Sequence, residues 1–107
     1  MRNSMEVLAT PEVRSMIRDN GGLLFVTLSP ISSIRGAMRR VLTTTDLPKD
    51  ALRYQRFETN GFLVFLEPGI RAPRELHLQM VGRFRRHLKA FWNGHPFLPL
   101  GVRTVEG

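Results

Sequence analysis

The chain has 107 residues, 42% of them hydrophobic, with 16 basic and 9 acidic residues, a net charge of +7 and no cysteine. That length fits one domain, 1–107, able to bury a single core without staples, and the missing thiols exclude disulfides, cysteine-ligated zinc or iron–sulfur clusters, and thiol nucleophiles. No apolar run approaches the roughly 20 residues of a membrane helix, and residues 1–6 lack the apolar stretch of a signal peptide, so the expected location is the cytoplasm.

Residues 5–9 form a short apolar lead-in. Thr10-Pro11-Glu12 starts a helix: Thr caps the first amides, Pro fits the first helical position, and Glu favours the positive end of the dipole. Val13, Met16 and Ile17 share one face, and Asn20-Gly21-Gly22 ends the helix. Residues 23–28 read as a buried strand and 29–36 as a polar loop around Pro30. In 38–45, Val41 and the threonines favour strand. Residues 45–50 form a turn or a short helical turn.

Residues 53–59 read as a strand, Asn60-Gly61 as a two-residue hairpin turn, and 62–66 as an apolar return strand stopped by Pro68-Gly69. In 76–81, Leu76, Leu78 and Met80 alternate with His77 and Gln79. The segment 84–92 suits either a helix or a strand, and pairing arithmetic favours strand. A three-residue loop at 81–83 would set Met80 opposite Phe84 and Leu76 opposite Leu88, with Glu75 facing Lys89, Gln79 facing Arg85 and His77 facing His87. Arg86 is the misfit, since it would point inward. Residues 93–107 are a candidate C-terminal strap.

Several pieces carry a family resemblance: Leu8-Ala9-Thr10-Pro11, Gly22-Leu23-Leu24-Phe25-Val26, and the run Asn60-Gly61-Phe62-Leu63-Val64-Phe65-Leu66-Glu67-Pro68-Gly69. Over roughly residues 6–82 the chain resembles the A-type iron–sulfur carrier (HesB-like) family. The segment 85–95 is also similar to the ending of small uncharacterised bacterial proteins of that architecture. The resemblance implies a HesB-like fold. It does not transfer the chemistry: Ile31-Ser32-Ser33-Ile34-Arg35-Gly36 stands where the family has its first cysteine loop, and the C-terminal Cys-Gly-Cys has no counterpart.

The densest basic segment is Arg83, Arg85, Arg86 and Lys89, interleaved with Phe84, Phe91 and Trp92, and no acidic residue falls between Glu75 and Glu106. Such a segment can hold nucleic acid through phosphate contacts and base stacking. Its alternative is a solvated sheet face with Phe84 and Trp92 in the core. Only Lys49 and Lys89 of the basic residues are lysine, which suits phosphate recognition or simply reflects a GC-rich genome. Arg35, Arg39 and Arg40 would extend the basic surface if they lay nearby. Phe91, Trp92 and Phe97, with the proline-broken stretch that follows, are candidate partner-binding residues for a second copy or another protein. His77, His87 and His95 are the only histidines, and their spacing matches no established metal motif. Neither a nucleophile elbow nor a phosphate loop is present.

The expectation is thus an α+β protein: a single small β-rich domain with its N-terminal helix packed on a curved, mostly antiparallel sheet. The expected role is a non-catalytic binding or interaction module without a cofactor. The alternative is a basic nucleic-acid-binding protein using segment 83–89. A metal-dependent enzyme built on the three histidines is a distant third.

Overall fold

The computed structural model describes residues 5–33, 36–59, 61–95 and 97–99. Among these residues, eight strands form two sheets rather than the single curved sheet expected. One sheet has the order β1-β6-β7, from β1 (Glu6–Ala9), β6 (Glu75–Val81) and β7 (His87–Trp92). The other has the order β4-β5-β2-β3-β8. Its strands are β2 (Leu23–Ser33), β3 (Gly36–Thr44), β4 (Gln55–Glu58), β5 (Leu63–Leu66) and β8 (Phe97–Pro99). Pairing is antiparallel except β1 with β6 and β2 with β5.

Helix α1 (Pro11–Asp19) is built as its sequence asks. Thr10 Oγ1 accepts from the Val13 amide at 3.3 Å, and Gly22 N donates to Ile17 O at 2.8 Å across the glycine stop. Gly21 and Gly22 sit at φ 111° and 79°, a conformation that side-chain-bearing residues resist. Val13 and Ile17 are fully buried, and the helix packs on β6 and β2.

The apolar lead-in is strand β1, in register with β6 from Glu6 opposite Glu75 to Ala9 opposite Leu78. The polar loop expected at 29–36 is largely strand, because β2 runs on to Ser33 through Pro30. The ladder explains why proline is tolerated. Leu28 N donates 3.0 Å to Glu67 Oε1, on the β5 side of the strand. Amides alternate sides along a strand, so the Pro30 nitrogen points the same way. The pairing with β5 has ended at Val26, so the missing N–H forfeits no bond to that strand. Glu67 thus extends the β5 ladder by one side-chain rung.

The hairpin turns where the sequence asks: Glu58 pairs with Leu63, and Thr59 N donates to Phe62 O at 3.0 Å, which leaves two residues between the bonded pair. Asn60 lies outside the described residues, and buried Phe62 precedes β5. A second two-residue Asn-Gly turn occurs at Asn93-Gly94, at φ 50° and 88°, between Trp92 and His95. The candidate strap therefore begins with this turn and continues as β8 against β3, and 100–107 lie outside the described residues.

One cluster joins the sheets: Val13 and Ile17 of the helix, Leu24, Val26 and Leu28 of β2, Val64 and Leu66 of β5, and Leu76, Leu78, Ala90 and Trp92 of the smaller sheet. On the opposite face of β2, Phe25 is 1% exposed, stacked on Phe65 at 4.8 Å and edge-on to Tyr54 at 5.6 Å.

Removing the buried Leu78 side chain (Leu78→Ala) is expected to cost about 2–5 kcal/mol in chemical denaturation, whereas Leu52→Ala, at a fully exposed position on the short turn after β3, should stay within about 0.5 kcal/mol. Tyr54 titrates above its ordinary value because burial opposes the phenolate, helped by Asp50 and Glu67. A raised folded pKa gives stability that is fully present below the unfolded value of about 10 and lost as pH climbs through the folded one. Melting curves should therefore show an alkaline loss of stability above about pH 10 that is smaller in Tyr54→Phe.

Candidate nucleic-acid interface

The basic segment is divided between a loop and a strand. Val81 pairs with His87, so 82–86 form a five-residue loop, and Met80 meets Leu88 instead of Phe84. The register is shifted by four residues from the one expected. An even shift keeps each side chain on its own face. Leu88, Ala90 and Trp92 therefore still face the core with Leu76 and Leu78, while Phe84 leaves the sheet altogether.

Phe84 is 93% exposed at the loop tip, between Arg83 and Arg85. Neither arginine side chain has a hydrogen-bond or ion-pair partner among the described residues. Arg86 differs. It grips Glu12 of α1 through two bonds, Nη2 to Oε1 at 2.6 Å and Nε to Oε2 at 3.2 Å, and donates to Gly82 O at 3.3 Å. That carboxylate holds the guanidinium pKa above its usual value. The residue that fitted no inward position thus ties the loop to the helix, with its side chain still about half exposed.

The loop has a second constraint. Gly82 sits at φ 102°, and a Cβ there would lie 2.2 Å from Arg85 O. His87 Nδ1 also lies 3.2 Å from Arg85 O, within hydrogen-bond reach. The loop closes on its own backbone, so Phe84 is displayed on a braced hairpin end.

Lys89 lies on β7, its ammonium 5.7 Å from the centroid of the Phe91 ring, a cation–π distance. Both side chains are half-buried. Trp92 is 5% exposed and belongs to the core, so it offers almost no surface to a partner. Phe97 opens β8 opposite Arg40 of β3.

The histidines are not brought together as pairing arithmetic suggested. His77 stands opposite Phe91 and bonds Glu75 Oε1 at 3.0 Å, while His87 stands opposite Val81. His95 closes the Asn-Gly turn through backbone bonds to Trp92. Among the described residues, no three His, Asp or Glu side chains gather as a metal ion would need.

Arg40 is the basic residue beside this segment that sequence reasoning could not place. β3 and β7 lie against one another, which brings Arg40 to the side of His87 and Lys89. No local signal links positions 47 residues apart. Comparison with protein-family models, with curated proteins and with solved structures finds no match to this chain.

Gly82→Ala should distort the loop and cost more than about 1 kcal/mol, since it combines positive φ with a backbone collision. Equilibrium unfolding measures the cost, and amide chemical shifts of 82–87 should move while those of α1 residues far from Glu12 stay in place.

Proposed function

We propose that this chain is a non-catalytic binding module that takes single-stranded nucleic acid on the loop between β6 and β7. The observation that carries the reading is Phe84, fully presented on a braced loop between two arginines that have no partner among the described residues. Burying a phenylalanine is worth about 1.5–3 kcal/mol, so an aromatic ring held in water forgoes that gain. A base stacked on the ring recovers it, and every base has a face to offer. Arg83 and Arg85 flank the ring where the sugar–phosphate chain on either side of a stacked base would run. The +7 charge draws the polyanion in from a distance.

Single strands suit this geometry better than duplexes, because their bases are free to stack on an isolated ring. The HesB-like relationship belongs to the same proposal. A helix packed on β-sheets supports it, and a chain without cysteine would use such a fold as a scaffold rather than as a cluster carrier.

Phe84→Ala should weaken binding to a labelled single-stranded oligonucleotide by about 1–3 kcal/mol, the range for losing one stacked base. The melting temperature should hardly change, because the ring touches no core. Fluorescence anisotropy at physiological salt reads the first quantity and a thermal scan the second. Unchanged affinity in this variant would remove the loop from the site.

A further inference from the structure

A groove of about 320 Å³ opens where the two sheets meet, lined by Arg40, Leu42 and Thr43 of β3 and His87, Leu88 and Lys89 of β7. Its origin is topological. β8 pairs with β3 only from Met38 to Arg40, and β7 is the edge strand of its own sheet. Among the described residues, no ladder joins the rest of β3 to β7, although the strands lie side by side. The result is a slot between two strand edges, starting one residue after the loop that carries Phe84.

The lining has a consistent chemistry. Leu42 is 40% exposed and Leu88 half-buried, which gives an apolar wall. Among the described residues, Arg40 has no hydrogen-bond or ion-pair partner, Lys89 has only the Phe91 ring, and no carboxylate lines the slot. Thr43 and His87 add hydrogen-bonding groups. Its volume sits at the lower end of the roughly 300–1,000 Å³ of small-molecule sites, room for about one nucleotide.

Resting on the reading of the loop as a single-strand site, we infer that this slot is a second nucleotide subsite on the same strand. A base lies against Leu42 and Leu88, and the phosphodiester is held by Arg40 and Lys89. The site then spans more than one nucleotide, and its affinity grows with strand length until loop and slot are both filled. A free nucleoside monophosphate offers the same base and phosphate, so the test separates the two sources.

Anisotropy with labelled oligothymidylates of increasing length, and melting scans with thymidine monophosphate, use the whole chain. Arg40→Ala and Lys89→Ala should each weaken binding of the longer strands about tenfold, equivalent to about 1.4 kcal/mol. Arg53→Ala, an equal charge loss on the turn after β3, should have a much smaller effect. Leu42→Asn should also weaken binding several-fold without changing charge, an effect that general attraction to polyanions would not produce. If Arg40→Ala and Lys89→Ala fall no further than Arg53→Ala while Phe84→Ala loses affinity, the slot is overturned and the loop reading stands. If the slot variants lose affinity and Phe84→Ala does not, the slot stands and the loop reading fails. If no oligonucleotide binds the parent chain, a monophosphate-induced melting shift that Arg40→Ala abolishes retains the slot as a nucleotide site. Without such a shift, both are overturned.

Discussion

Burial of Leu24, Val26 and Leu28 on one face of β2 is the constraint on which the rest of the molecule rests. The strand is central in its sheet, parallel to β5 on one side and antiparallel to β3 on the other. Its apolar face meets the helix and the smaller sheet through Val13, Ile17, Leu76, Leu78 and Trp92. A one-residue slip in β2 would turn all three side chains away from that core. The opposite face is fixed as well, because Phe25 is enclosed by Phe65 and Tyr54. A strand buried on both faces has a single register, and β3 and β5 inherit theirs from it.

The smaller sheet passes this order outward to the loop. Leu76 and Leu78 hold β6 in the core, and Ala90 and Trp92 hold β7 opposite them. Between these anchors the chain needs five residues to turn, and Gly82 supplies the one backbone conformation that lets Arg85 O approach so closely. Arg86 then binds Glu12, joining the loop to the first turn of α1. Both groups are about half exposed, so the pair adds direction more than stability. Its consequence is chemical: the arginine whose charge a carboxylate meets is the one facing the helix, and those beside Phe84 have no such match among the described residues.

Local rules were enough for the helix, from the Thr10 cap to the Gly21-Gly22 stop, and for the alternation in 76–81. They failed where the decisive partner is distant in sequence. Pro30 and its serine neighbours read as a loop, since nothing local shows that β5 stops pairing with β2 at Val26. The Asn-Gly signal at 60–61 was local enough to read, and Thr59 bonds Phe62 across it; the same dipeptide makes a second tight turn at 93–94. Pairing arithmetic found the right partner strands and faces for β6 and β7 but the wrong register, because a three-residue loop satisfied the same alternation. That error matters most for function, since it placed Phe84 in the core and His77 beside His87. Arg40 was legible only as a basic residue, and its place beside Lys89 follows from the meeting of the two sheets.

A net charge of +7 attracts any polyanion, so total charge cannot by itself define a site. What separates a site from background is which cations remain unmatched and what stands next to them. Arg56 lies 4.0 Å from Glu58, and Arg86 is bound to Glu12. Arg83, Arg85 and Arg40 have no such partner among the described residues, and they adjoin an exposed ring or an apolar slot. Apolar surface beside unmatched charge is poorly suited to water and well suited to a ligand with a flat face and a phosphate. The same pairing recurs at the loop and at the seam, two places that the fold sets at the same end of β7.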